Sequence, residues 1–248
     1  MMKRAMDLAA AVGGLVLLSP VLLVVAFLIW RQDRHSPFYV AQRGGRGGRP
    51  FRMVKFRSMV IRADMTDVDS TAGNDPRITV VGRIIRKTKL DEVPQLWNVL
   101  KGEMSFVGPR PNVLRETAIY TPREKALLSV RPGITDMASI VFADEGDILH
   151  GAPDPDLKYN QVIRPWKSRL SLLYVERHGS VLLDIRLILL TIRAAFDRAG
   201  TLERVARLAA RLGAEADLVE VARRRKPLEA APPPGATMIV TSRDAPPV

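Results

Sequence analysis

The chain has 248 residues, 47% of them hydrophobic, which is enough for one sizeable core and excludes global disorder. Lys plus Arg outnumber Asp plus Glu by 38 to 26, a formal charge of +12, so the expected partner is anionic: phosphorylated substrate, acidic lipid or nucleic acid. Cysteine is absent, which removes disulfides and thiolate chemistry, and the three histidines are too scattered for a histidine-rich metal site. Any metal would be a hard cation on carboxylates and phosphates.

Residues 8–30 carry no charge and are bracketed by Asp7 and Arg31. As a straight helix they would reach about 34 Å, enough to cross a hydrocarbon core of about 30 Å. The run is too long for a typical signal-peptide core, and Arg31, Asp33 and Arg34 follow it where a small-residue cleavage site would stand. Ser19-Pro20 sits at its centre, and basic residues flank both ends: Lys3 and Arg4 before, Arg31, Arg34, Arg43 and Arg46 after. Two readings fit. One is a proline-kinked single-pass helix. The other bends at Ser19-Pro20 and returns to the same face, which keeps both basic clusters on the cytoplasmic side.

Residues 38–40 and 51–56 read as strands of a hairpin around a glycine-rich turn at 44–50. Residues 62–76 are polar and acidic and read as a surface loop. Leu90, Val93, Trp97 and Leu100 recur at helical spacing, which predicts a short helix over 91–101. Thr121-Pro122 predicts another helix start, ending before Arg131-Pro132-Gly133, and 156–177 is helical but interrupted by Pro165. Residues 181–196 and 202–212 are amphipathic or strongly apolar. Each is either a core helix or a helix lying in a membrane interface, and at least one is expected to be interfacial. From Lys226 onward, Pro232-Pro233-Pro234 and Pro246-Pro247 predict a disordered tail. The domain reading is 1–34 membrane helix, 35–199 catalytic domain, 200–225 basic amphipathic helix and 226–248 tail.

The densest chemistry lies in KTKLDEVPQLWNVLKGEMSFVGPRP at 87–111. Asp91 and Glu92 fall in the first turn of the predicted helix, where acidic residues commonly just cap free amides. Alternatively one carboxylate attacks phosphorus as a covalent nucleophile while the other assists or helps hold magnesium, and the helix N-terminus with nearby cations keeps it ionised. Lys55, Arg57, Arg77, Arg83, Arg86, Lys87, Arg110 and Arg131 are the candidate phosphate-binding cations, or else an ordinary solvated or lipid-facing basic surface.

That run, together with Lys3-Arg4-x-x-Asp7, Ser19-Pro20, Lys55-Phe56-Arg57-Ser58-Met59, Asp75-Pro76-Arg77-Ile78-Thr79 and Arg131-Pro132-Gly133-Ile134-Thr135, resembles the signature of the bacterial sugar transferases. These are the monotopic phosphoglycosyl transferases that act on polyprenyl phosphate, and the resemblance runs in order from residue 3 to about 195. It implies an α+β, mainly α fold: a re-entrant helix broken at Ser19 and Pro20, a small β-hairpin, and interfacial amphipathic helices. It implies Asp91 as nucleophile and magnesium ligand, Glu92 as its partner, release of UMP from a UDP-sugar, and Mg2+ as cofactor. Lys55, Arg57, Arg110 and Pro111 would line the substrate pocket, and Arg77, Arg86 and Arg131 are further candidate substrate-binding residues. It also implies a bacterial inner-membrane protein whose catalytic domain faces the cytoplasm among membrane lipids. Such a protein would supply a lipid-linked diphosphosugar to downstream glycosyl transferases of exopolysaccharide or lipopolysaccharide assembly. Where family members carry Gly-Trp, this chain has Asp136-Met137.

The competing class is a non-catalytic membrane-anchored protein whose basic surface binds acidic lipid or nucleic acid. It accounts for the charge and the apolar run but not for Asp91-Glu92 amid Gly, Pro and Arg turns. Nucleic acid is not expected as a partner: aromatic residues for base stacking make up only 6% and do not cluster.

Overall fold

The computed structural model describes residues 2–65 and 68–242. Residues 66 and 67 of the expected acidic loop and 243–248 of the expected tail lie outside the described residues.

The uncharged run forms most of one 32-residue helix, α1 (Met2–Asp33), and helical structure continues through Pro20. Its middle is bare: Val16, Leu17, Leu23 and Val24 are 58–79% exposed. Both ends rest on the rest of the protein. At the start, Lys3 Nζ donates to Asp184 (2.7 Å), Arg4 donates to the carbonyls of Val99 (2.6 Å) and Leu100 (2.9 Å), and Asp7 accepts from Ser105 Oγ (2.8 Å). The basic residues ahead of the run are thus engaged within the protein. At the far end, Asp33 takes both terminal nitrogens of Arg57 at 2.5 and 2.7 Å.

Next comes the expected hairpin, β1 (Phe38–Gly44) with β2 (Pro50–Phe56), antiparallel from Phe38 opposite Phe56 to Gly44 opposite Pro50. Phe51 and Met53 of β2 cluster with Ala11, whereas Phe56 clusters with Val25 and Ile29. On a straight helix Ala11 and Val25 would be about 21 Å apart. Met53 and Phe56 are only about 10 Å apart along a strand.

Helices α2 (Val80–Lys87) and α3 (Gln95–Lys101) follow, the second inside the predicted 91–101 range. Gly82 lets α2 lie against the hairpin exit, because a Cβ there would meet Ser58 O at 1.9 Å. β3 (Ser105–Val107) pairs in parallel with β4 (Gly133–Thr135), a second small sheet the sequence did not announce. Between them lie the short α4 (Leu114–Ala118) and a 3₁₀ run at Glu124–Ser129. That run replaces the α-helix expected from Thr121-Pro122, and Thr121 and Glu124 cap each other reciprocally at 3.0 Å.

The main core forms around α5 (Met137–Val141), with α6 (Glu145–Ile148) and α7 (Pro155–Lys158) leading to α8 (Arg164–Glu176). A π-turn at Tyr159–Ile163 absorbs the interruption expected at Pro165, which falls in the first turn of α8. Asp136, in place of the expected Gly, caps α5 through Ser139 N (2.7 Å) and accepts from Ser171 Oγ.

The two amphipathic segments separate. α9 (Val181–Ala194) buries Leu183, Leu187 and Leu190 but leaves Leu182, Ile185, Leu189, Ile192 and, just beyond it, Phe196 exposed. α10 (Arg198–Arg211) buries its apolar side, Leu202, Val205, Leu208 and Ala209, in the core it shares with α11 (Ala216–Arg223), so it is a core helix. The tail also departs from expectation. Residues 226–242 strap across α8: Trp166 Nε1 donates to Glu229 O (3.0 Å), Arg169 to Pro232 O (2.8 Å) and Gln161 Nε2 to Val240 O (2.8 Å). Proline fixes an extended chain whose free carbonyls suit such donors.

Candidate active site

Asp91 and Glu92 lie in a tight turn, Leu90–Glu92, between α2 and α3. Lys89 enters it in the left-handed region (φ 58°), which is uncommon for a side-chain-bearing residue. Leu90 packs the turn against the cluster of Ile85 with Val25 and Ile29 from the C-terminal half of α1.

Three segments converge on the pair. The turn supplies Asp91 and Glu92, β2 supplies Lys55, and the loop after β3 supplies Arg110 between Pro109 and Pro111. Arg110 clamps Glu92 with both terminal nitrogens, Nη1 to Oε2 at 3.1 Å and Nη2 to Oε1. Lys55 Nζ stands 3.8 Å from the same carboxylate. Burial alone would raise Glu92, but Arg110 and Lys55 overcome it and hold its carboxyl well below the ordinary range. Burial, with Arg110 adding repulsion, brings Lys55 down to about 8. Glu92 raises Arg110.

Asp91 behaves oppositely. Burial, then the neighbouring Glu92 charge, raises its carboxyl, and Lys55, Arg86 and Lys89 only partly offset them. This corrects the expectation that cations and the helix N-terminus dominate there. Asp91 Oδ1 is buried without a hydrogen-bond partner, whereas both Glu92 oxygens are taken by Arg110. Among the described residues no cluster of three or more His, Cys, Asp or Glu forms a metal cage. The donor set fits a hard cation held by one carboxylate and completed by diphosphate oxygens and water, with Asp91 as that carboxylate.

The structure therefore gathers Asp91, Glu92, Lys55 and Arg110, with Pro111 adjoining and Arg86 within electrostatic reach. It does not gather the others. Arg57 is held by Asp33 and by Ser36 O (2.9 Å), and Arg77 folds back on Asp75 (2.6 Å) and Ala63 O (3.0 Å). Arg131 closes the end of α3 through Gly102 O (2.8 Å), and Ser19 and Pro20 lie inside α1.

Other groups escaped the sequence reading. Arg43 is half-buried with a buried, unpartnered Nε, and both amide atoms of Gln95 are buried without partners. A polar recess behind Arg110 is lined by Asn112, Glu116, Tyr120, Tyr159 and Lys167. Burial pushes Glu116 up to about 7, while Asn112 Nδ2 donates to it at 2.6 Å. Only the spacing of Asn112, Glu116 and Tyr120, four residues apart, could have suggested one helical face.

The family model for the bacterial sugar transferases matches residues 1–198. The chain belongs to the bacterial sugar transferase family. Among its curated relatives, the UDP-galactose-lipid carrier transferase of Erwinia amylovora is 42% identical over 151 residues, 55% of this chain and 31% of that protein. The UDP-glucose:undecaprenyl-phosphate glucose-1-phosphate transferase of Caulobacter vibrioides is 40% identical over 172 residues, 66% of this chain and 64% of that protein. The exopolysaccharide production protein ExoY of Rhizobium meliloti is 39% identical over 155 residues, 56% of this chain and 69% of that protein. The chain thus spans about a third of the Erwinia protein's length and about two thirds of the other two. α10 after its first residue, α11 and the strap lie beyond the matched stretch.

Proposed function

We propose that this family member transfers a sugar 1-phosphate from a UDP-sugar to undecaprenyl or a similar polyprenyl phosphate. The observation that carries the reading is the unpartnered, buried Asp91 oxygen beside a Glu92 clamped by Arg110 and Lys55. The names of the relatives supply the substrate class. Asp91 attacks the phosphorus that bears the sugar; the bond to the α-phosphate oxygen breaks and UMP leaves. An oxygen of the polyprenyl phosphate then attacks the same phosphorus, expels the Asp91 carboxylate and yields the lipid-linked diphosphosugar. Lys55 and Arg110 hold the diphosphate charge, and Glu92 fixes both cations in place. Magnesium, when bound at Asp91, would neutralise diphosphate charge and lower the Asp91 carboxyl toward its reactive, ionised form. The lipid-linked product is the substrate class of downstream glycosyl transferases in exopolysaccharide or lipopolysaccharide assembly.

The same reading makes the protein monotopic, with its catalytic body on the cytoplasmic face of the inner membrane. Support comes from α1, whose two arms rest on one body while its apolar middle is bare, which favours a re-entrant helix bent at Ser19-Pro20. The exposed stripe of α9, together with exposed Val80, Ile84 and Trp97, suits contact with lipid.

Nucleotide release from a panel of UDP-sugars, with detergent-solubilised protein, magnesium and undecaprenyl phosphate, tests the reaction. UMP that requires the lipid is the expected product. UDP in its place would mean direct glycosyl transfer and end the role given to Asp91.

A pH dependence follows from Lys55. Its charged form holds phosphate, so kcat/KM is expected to fall as pH rises through about 8. Stability should move the other way: between about 8 and the ordinary lysine value near 10.5 the unfolded chain binds the extra proton, so this contribution rises with pH. Paired activity and melting profiles of wild type and Lys55→Met check both trends, and the variant should lose each.

A further inference from the structure

Gln95 is completely buried, and neither its side-chain oxygen nor its nitrogen has a hydrogen-bond partner. Burying an amide in this way carries the desolvation cost of each unsatisfied group, and folded proteins keep few such groups without a reason. A methionine would fill the same volume at no such cost.

Its position supplies a reason. Asp91, Gln95 and Asn98 are spaced i, i+4 and i+7, which places them on roughly one face of α3 and the turn before it. Asn98 fixes where that face points: its amide accepts from Val54 N (3.0 Å) and donates to Arg52 O (2.7 Å), both on β2. Lys55, the next residue of β2, reaches Glu92. Gln95 therefore sits above β2, between the Asn98 anchor and the carboxylate pair. Asp91 Oδ1, one turn away, is the other unpartnered buried oxygen of this segment. An acceptor and a donor one turn apart on roughly the same face, each without a partner, suit a third group that engages both.

We propose that Gln95 is a substrate-binding residue whose Nε2–H donates to a non-bridging oxygen of the phosphoryl group that reacts at Asp91. The inference rests on Asp91 as the site of phosphoryl transfer. A neutral donor there adds a hydrogen bond to an anion without a further positive charge beside Lys55 and Arg110.

Gln95→Met is the test, with UMP-release kinetics and thermal melting measured on the full chain in detergent with magnesium and undecaprenyl phosphate. The expected result is a kcat/KM lower by roughly 10- to 100-fold, as for loss of a hydrogen bond to a charged group, with a Tm equal to or above wild type. Gln95→Glu separates binding from folding. Its carboxyl can donate only when protonated, so its kcat/KM relative to wild type should be lowest at pH 8 and recover toward pH 6. Wild-type kcat/KM in the Met variant would overturn the inference and leave transfer at Asp91 intact. Should the Met variant not fold, a ratio for the Glu variant that stays flat with pH would overturn it equally. Absence of UMP from the wild-type protein would remove the transfer reading, and this inference with it.

Discussion

Asp91→Asn should abolish lipid-dependent UMP release, by about 10⁴-fold or more, while making the protein harder to melt at pH 8. The first effect follows from removing the proposed nucleophile, for which Glu92 could not substitute because both its oxygens are held by Arg110. The second follows from burial. Asp91's carboxyl is raised in the folded state, first by desolvation and then by Glu92, so the fold prefers it protonated. That preference stabilises the fold fully below the unfolded-state value of 3.8 and is lost as pH rises through the folded value. Asparagine cannot ionise and escapes the loss. Melting temperatures of the two proteins should converge near pH 4 and separate by pH 8, with the variant higher. A variant that melts lower at pH 8 would mean that the Asp91 charge is favourably paired, contrary to its unpartnered oxygen.

Arg110→Met should be the most damaging single change to stability at this site. It leaves the Glu92 charge buried with only Lys55, 3.8 Å away, to balance it. The pair is only partly buried, Glu92 13% and Arg110 31% exposed, so the cost falls below the roughly 3–5 kcal/mol of a fully buried pair. For a domain of this size a loss of about 2–3 kcal/mol corresponds to a Tm lower by roughly 5–10 °C. UMP release should fall with it, because one of the two cations proposed to hold the diphosphate charge is lost. Combining Arg110→Met with Glu92→Gln removes the stranded charge, so the double variant should recover most of the lost melting temperature and none of the activity. Additive losses in the double variant would mean that the two residues do not act as a pair.

What the sequence made legible was local. The hairpin announced itself through glycines between two strand-like runs, and α3 through apolar residues at helical spacing. Asp91-Glu92 stood out because its flanking motif is so dense. What it concealed depends on partners distant in the chain. Arg57 and Arg110 look alike as residues, yet one meets Asp33 and the other Glu92, and nothing beside either arginine reveals which. Asp91's raised carboxyl stems first from burial, in a turn whose Leu90 packs on a cluster with α1 residues more than sixty positions earlier. α10 and α9 share an amphipathic pattern, and that pattern reads the same whether the apolar side meets protein or lipid. The strap was misread as disordered because its carbonyls make the bonds, and main-chain acceptors leave no mark in composition.

α1 is fastened at Lys3, Arg4 and Asp7 and again at Asp33. A transmembrane segment acts as a ruler laid across the bilayer and tilts or stretches when the bilayer thickens. A helix moored at two points on one rigid body has no such freedom. In the re-entrant reading, the depth at which Asp91 meets the lipid is written into the fold itself, and thicker or thinner membranes should leave that depth, and the enzyme's turnover, largely unaltered.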